Sequence, residues 1–328
     1  MKDNRQERKP IVSFIIPYYE LPVNLLCECI DSILSLSLNK EERQIIVIDD
    51  GSRNNPLPAL KPYTDDIIYI HQKHQGLSMA RNTGVRMASG DYLQFVDADD
   101  KLIKTGYDYC LGIIQTHKNA DMVLFDFEDS EKEPSFSLSS KVQPTSGISY
   151  LRHNNIHGTA WGYIFRRNIL GDLRFTSGLY HEDEEFTPQL LIRSEIVYPT
   201  KAKAYYYNRR QNSILTSKDT AHVEKRLSDI LQVILNLHKI AESLSINEQL
   251  ALERRVSQLT MDYIYNVIIQ TNSLSITHQR IETLRDSGLF PLPDRKYTKK
   301  YQAFRYMTNS RLGLSLLVKI LPLLKKER

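Results

Sequence analysis

Four short apolar runs rich in β-branched residues, separated by helical or turn-forming sequence, constrain this chain more than any other feature. They are Val12–Ile16 (VSFII), Ile45–Ile48, Ile67–Ile70 and Tyr92–Val96. Each shows little polar alternation, which predicts strands buried on both faces and hence a parallel sheet. Between the first two, Leu25, Leu26, Cys29, Ile30, Ile33 and Leu34 recur at helical spacing, and before the fourth Leu77, Ala80, Gly84, Val85 and Ala88 do so again. Crossover helices between such strands predict a doubly wound α/β domain.

Further strands are expected at Met122–Phe127, Trp161–Phe165 and Ala204–Tyr207, with a helix at Glu184–Arg193 and a Ser- and Pro-rich excursion over Asp129–Ser146. From about Ala221 the pattern is almost wholly helical, broken around Pro291–Lys296. At 328 residues the chain suits one catalytic domain, read as 1–220, followed by a helical region, 221–328.

Ligands of an open parallel sheet gather beyond the carboxyl ends of its strands, so polar residues that directly follow strands are the first suspects. Three such places occur: Pro17-Tyr18-Tyr19-Glu20, Asp49-Asp50-Gly51-Ser52 and Asp97-Ala98-Asp99-Asp100. All three are expected along one rim. Closely spaced carboxylates at a strand end repel one another unless a divalent cation neutralises them, so the third cluster predicts Mn2+ or Mg2+ bridging to a diphosphate. The alternative is an Asp-rich turn before a helix. Tyr18 and Tyr19 offer aromatic faces for a nucleobase, and Asp49 or Asp50 an acceptor for a ring N–H. The alternative there is a pair of core tyrosines beside an Asp-Gly turn in which Gly51 supplies positive φ. In Gln75-Gly76-Leu77-Ser78-Met79-Ala80-Arg81-Asn82, Ser78 is expected to cap the helix and Arg81 to reach a nucleotide or to sit in solvent.

The runs VSFIIPYYE, IIVIDDGS, HQGLSMARNTG and ASGDYLQFVDADD, in that order and spacing, resemble the amino-terminal half of family-2 inverting glycosyltransferases. The match is close over about the first 105 residues and looser to about Thr216. It implies a GT-A fold, a Rossmann-like nucleotide-diphospho-sugar transferase architecture. Carried over, the resemblance implies that Pro17, Tyr18 and Glu20 line the nucleotide pocket and that Asp49 or Asp50 reads the base. It further implies that Arg81 contacts the nucleotide, Asp97 the ribose and Asp99 the metal, with Asp100 in support. At Glu20 the family more often has Asn or Asp. Inversion needs a general base opposite the leaving diphosphate, and Tyr180-His181-Glu182-Asp183-Glu184-Glu185-Phe186 resembles the family's Glu-Asp motif, with Asp183 first choice and Glu182 second. An acidic helix start favoured by the macrodipole is the other reading. Trp161, the only tryptophan, resembles a residue bordering the acceptor site, a core Trp being the alternative. Tyr205-Tyr206-Tyr207-Asn208-Arg209-Arg210 is similar to the strand and basic loop that close such domains, where Arg209 or Arg210 would meet phosphate. The Gln-x-x-Arg-Trp motif of processive members does not occur, which favours single addition.

The function this predicts is transfer of a sugar from a nucleotide diphosphate sugar, UDP-linked by preference, to a saccharide or lipid-linked acceptor in bacterial surface-polysaccharide assembly. A catalytically silent module binding nucleotide or glycan is the rival. A nicotinamide-dependent dehydrogenase lacks support, because the first strand leads into Pro-Tyr-Tyr-Glu and not a Gly-x-Gly-x-x-Gly loop. A formal charge of +4, from 43 basic and 39 acidic side chains, is too mild to imply nucleic acid. Cys27, Cys29 and Cys110 cannot all pair, the charged start lacks a secretory core, and no stretch reaches the ~20 apolar residues of a membrane span. A cytoplasmic protein is therefore expected. The apolar, basic-flanked segment Leu312–Leu324 predicts either peripheral contact with the inner membrane or packing on the protein's own helices.

Overall fold

The computed structural model describes residues 9–129, 142–209, 219–295 and 297–326. Two compact units divide them, one drawn from 1–150 and 157–210, the other from 151–156 and 211–328.

The first unit holds strands β1 (Val12–Tyr18), β2 (Arg43–Asp49), β3 (Ile67–His71), β4 (Tyr92–Phe95), β5 (Lys101–Leu102), β6 (Met122–Glu128), β7 (Tyr163–Arg166) and β8 (Val197–Tyr206). They form one sheet in the order β3-β2-β1-β4-β7-β6-β8-β5. The first four pair in parallel, as their apolar runs predict. The later half departs from that rule: β7 is antiparallel to β4 and β6, whereas β6 and β8 are parallel. The fold is thus α/β on a mixed, mostly parallel sheet.

Between the strands lie α1 (Val23–Leu34), α2 (Leu57–Leu60), α3 (Leu77–Met87), α4 (Lys104–Thr116), α5 (Gly147–His153) and α6 (Glu182–Ile192). α1 buries Leu26, Cys29, Ile30 and Ile33, the inward stripe of its helical repeat. α3 lies against β1 and β2. Its approach depends on Gly84, where a Cβ would collide with the Ile15 side chain.

Two local expectations are corrected. β3 is an edge strand with a half-exposed to exposed pattern, not one buried on both faces. Ser78 does not cap α3; Gly76 does, at φ 88°, and Ser78 is buried within the first turn.

The second unit is helical: α7 (Thr220–Glu242), α8 (Ile246–Thr271), α9 (Leu274–Asp286), α10 (Lys299–Thr308) and α11 (Arg311–Lys326). α8 packs on α7, α9 and α11 and buries most of its apolar side chains. Its start is fixed by a capping box of Ser245 and Glu248. Most of the Ser- and Pro-rich excursion, together with Arg210, lies outside the described residues.

Candidate active site

Strand ends assemble the rim. β1 runs on through Pro17 and Tyr18, in register with Ile48 and Asp49 of β2. A proline is tolerated here because the pairing of β1 with β4 has already ended at Ile15 and Phe95. Ile15 O accepts Val96 N on the β4 side, while Tyr18 O accepts Asp50 N on the β2 side. Pro17, with the parity of Ile15, directs its missing N–H where no partner strand remains.

That parity also corrects the expected role of the Tyr18 ring. Tyr18 is 2% exposed, belongs to the apolar core and donates its hydroxyl to Leu21 O at 2.7 Å. Tyr19 carries the exposed ring, stacked on His74 at 4.1 Å with 19° between planes. Glu20, at φ 50°, ties the β1 exit to the β2 exit: its backbone N–H donates to Ser52 Oγ at 3.1 Å and its Oε1 accepts Arg53 N at 2.8 Å. Gly51, at φ 85°, lies so near that an added Cβ would sit 2.8 Å from His74 N.

The two aspartates at the end of β2 are both buried and differ in their partners. Asp50 accepts Gln72 Nε2 at 2.6 Å and the backbone N–H groups of Gln75 and Gly76, and it pairs with His74 Nδ1 at 2.8 Å. Its four lone-pair directions are filled, and the carboxylate pins the turn that leads into α3. Asp49 accepts Tyr69 Oη at 2.6 Å and His71 Nδ1 at 3.1 Å on Oδ2, and Ser52 N at 2.9 Å on Oδ1. Burial alone would raise the Asp49 pKa, but bonds from Tyr69, Ser52 and His71 outweigh it and hold the group below the ordinary carboxylate range.

Beyond β4 the three acids separate into different environments. Asp97 is about a quarter exposed and Asp99 is half-buried. Asp100 is buried, accepting Tyr205 Oη at 2.8 Å and Asn208 N at 2.8 Å. Burial, then the negative charges of Asp97 and Asp99, push its pKa up to about 8. The Tyr205 hydroxyl also accepts Asp97 N at 3.1 Å, so one phenol on β8 holds both ends of the acidic turn. Trp161 stacks on Tyr205 at 4.3 Å and 9° and is 7% exposed, within the core. The structure places it behind the acidic turn, with Tyr207 and Phe127 as further ring neighbours. Tyr205 was legible in the sequence only as one of three consecutive tyrosines. Arg209 pairs with Asp129.

α6 starts at Glu182, and its first turn holds Glu182, Asp183, Glu184 and Glu185, where the helix macrodipole stabilises negative charge. His181 turns the chain into it at φ 63°. Arg81, from α3, joins this turn to the β4 exit: Nη1 donates to Glu182 Oε1 at 2.6 Å and Nη2 to Asp97 Oδ1 at 2.9 Å. The guanidinium is 2% exposed and lies 5.3 Å from the ring centroid of Phe175. Phe175 is held in turn by a reciprocal pair of hydrogen bonds with Asn82 at 2.9 and 3.0 Å. Burial would lower the Arg81 pKa, but Asp97, Glu182 and Asp183 raise it, so the cation is permanent. In this state Arg81 is an internal strut, neither a solvated surface residue nor a free nucleotide contact. Asp183 is pushed well above the carboxylate range by desolvation, Glu182 and Glu184, against the pull of Arg81.

Among the described residues no group of three or more His, Cys, Asp or Glu side chains is arranged to hold a metal ion. A divalent cation of the magnesium type needs no such cage when substrate phosphates complete its shell, one or two carboxylates being enough. The turn after β4 supplies carboxylates of that kind in Asp97 and Asp99, while Asp100 is turned to Tyr205 and Asn208.

Comparison with known proteins agrees with this architecture. The description "Glycosyl transferase family 2" matches residues 13–174, a span that includes β1, β2, β4 and the acidic turn. "Glycosyltransferase GlyA" of Streptococcus pneumoniae is 30% identical over 224 residues, covering 62% of this chain and 31% of that protein. The chain spans 31% to 63% of the length of the first curated relatives it matches. Among solved structures, S. aureus TarS 1–349 in complex with UDP-GlcNAc superposes with a TM-score of 0.55 at 16% identity, over 90% of this chain and 91% of that one. The mannosyltransferase PcManGT of Pyrobaculum calidifontis, in complex with GDP-Man and Mn2+, does so with a TM-score of 0.58 at 14% identity, over 97% and 88%. These likenesses show a shared GT-A fold. Four ordered motifs and the family match identify residues 13–174 as a glycosyl transferase family 2 region.

Proposed function

We propose that the protein is an inverting glycosyltransferase that moves a sugar from a nucleotide diphosphate sugar, UDP-linked by preference, to a saccharide or lipid-linked acceptor. The observation that supports this most is the Arg81 bridge, which joins the acids after β4 to those opening α6 through contacts of 2.9 and 2.6 Å. Donor-side and acceptor-side chemistry are thereby held in one rigid frame.

In this reading Tyr19, with His74 behind it, stacks on the base, and Asp49 accepts the ring N–H. Asp50 and Glu20 shape the pocket without direct readout, and Pro17 and Tyr18 form its floor. Asp97 orients the ribose. Asp99 holds a Mn2+ or Mg2+ ion, which when bound offsets the charge of the departing diphosphate.

Glu182 is occupied by Arg81, which leaves Asp183 to take the proton of the acceptor hydroxyl as its oxygen attacks the anomeric carbon. A carboxylate made more basic by desolvation and by its acidic neighbours is suited to that step. Trp161 supports the acidic turn through Tyr205. The catalytic domain is taken as residues 1–220 with the helical region 221–328 appended, and the setting as the cytoplasmic face of the inner membrane, in surface-polysaccharide synthesis.

The deciding experiment screens UDP-, GDP- and dTDP-sugars for hydrolysis or transfer, with and without Mn2+, in the native chain and in Asp183→Ala. Metal-dependent release of nucleoside diphosphate that Asp183→Ala abolishes, at nearly unchanged nucleotide affinity, is expected. Binding without turnover of any donor would favour the silent-module reading.

A further inference from the structure

The second unit carries an apolar stripe that its own packing leaves uncovered. α11 packs on α8 and α10 and buries Leu314, Leu317 and Val318. Another side of the helix exposes Leu312, Leu316, Ile320, Leu323 and Leu324, at 85%, 48%, 40%, 63% and 56%. At about 100° per residue these five fall within an arc of about 120°. Exposed apolar side chains scattered singly need no explanation, but a continuous stripe along one helix does.

Charge identifies the occupant. Residues 295–328 hold ten Lys and Arg and a single acid, Glu327, whereas the remainder of the chain holds 33 basic and 38 acidic side chains. The protein's whole positive excess is thus concentrated in the segment that bears the stripe. Lys299, Lys300, Arg311 and Lys319 are exposed. A second copy of the same segment would meet this surface with like charge, which disfavours self-association. An anionic bilayer offers both complements, acyl chains for the leucines and headgroups for the bases.

No helix among the described residues is long and apolar enough to cross a membrane. α11, at 16 residues, is about 24 Å long. Its geometry suits lying in the plane of the interface.

We infer that the Leu312-Leu316-Ile320-Leu323-Leu324 face of α11 is a docking surface for an anionic lipid bilayer. This extends the membrane placement proposed above to a named surface. Its test requires no turnover, so its failure would leave the glycosyl-transfer reading standing.

The test is sedimentation of the full chain with vesicles of phosphatidylcholine alone or with phosphatidylglycerol added, at low and high salt. Binding confined to the anionic vesicles and weakened by salt is expected. Leu316→Ser with Ile320→Ser, and separately Lys299→Glu with Lys319→Glu, should each weaken it about tenfold or more with helix content unchanged by circular dichroism. Equal binding to neutral vesicles, binding that both double variants retain, or no vesicle binding at all would overturn the inference. So would light scattering that shows a dimer which the leucine variant dissociates.

Discussion

The Tyr205 hydroxyl donates to Asp100 Oδ2 at 2.8 Å while accepting Asp97 N at 3.1 Å, so a phenol on β8 braces the turn that carries Asp99. Tyr205→Phe keeps the ring and its stack on Trp161 but leaves Asp100 with one partner fewer. A loss of about 1–3 kcal/mol in urea unfolding is expected, the scale of an unsatisfied buried group. A weaker Mn2+ dependence of nucleotide binding should accompany it, read by calorimetry.

Asp100 gives the pH dependence its sign. Its pKa is pushed up to about 8 in the folded protein, against about 3.9 in an unfolded chain. Between those values the native state binds more protons than the unfolded one, so metal-free stability falls as pH rises through that window. Thermal denaturation from pH 5 to pH 8.5 should show a declining midpoint, and Asp100→Asn should flatten the decline. A divalent cation at Asp99 adds nearby positive charge, so the rise in midpoint on adding Mn2+ should be larger at pH 8 than at pH 5.

Arg81→Lys retains a charge but cannot reach Glu182 and Asp97 with the two arms of a planar fork. Arg81→Met strands two acids against Phe175 and should destabilise by about 3–5 kcal/mol, the cost of breaking a buried pair. Chemical denaturation of both variants is the check, and the lysine variant should fall between the native chain and the methionine one.

For Asp183→Asn the expected loss of transfer is about 10²- to 10⁴-fold, with donor affinity changed by no more than about threefold. Because desolvation and Glu182 raise the group it replaces, the native rate should climb with pH from well above the ordinary carboxylate range. Steady-state rates across pH give the profile, and a flat one would remove Asp183 from the role of base.

Tyr19→Ala removes an exposed ring, so stability should change little while UDP affinity falls several-fold, the scale of a lost aromatic stack. Tyr18→Ala should do the reverse, costing about 3–5 kcal/mol as a core truncation. The pair separates two neighbouring tyrosines by measurement of both quantities on each.

The apolar runs made β1, β2 and β4 legible because strands buried on both faces leave a continuous hydrophobic record. The edge position of β3 was hidden, since Ile67–Ile70 reads much the same whether one face or two are covered. The helical repeat before β4 placed α3, yet one residue type misled: Ser78 is a favoured cap in general, but positive φ was needed, and Gly76 supplies it. Which of two adjacent aromatic or acidic residues faces the rim turns on where each strand stops pairing. That is why the sequence assigned Tyr18 and not Tyr19 to the pocket and left Asp49 and Asp50 as alternatives. The Arg81 bridge spans 101 residues of sequence to Glu182, and an arginine on a helix carries no local mark of such a partner. Composition likewise gave a near-neutral average for the chain that conceals the uneven placement of its charge.

The cross-ties Glu20–Ser52, Glu20–Arg53 and Asp50–Gly76, with Gly51 pressed against His74, bind three strand exits into one module. Base preference in this scaffold would therefore transplant only as a cassette of residues 18–20, 49–53 and 72–76. Swapping any single loop would sever ties to the other two, and directed evolution of donor choice should find its compensating changes inside that set.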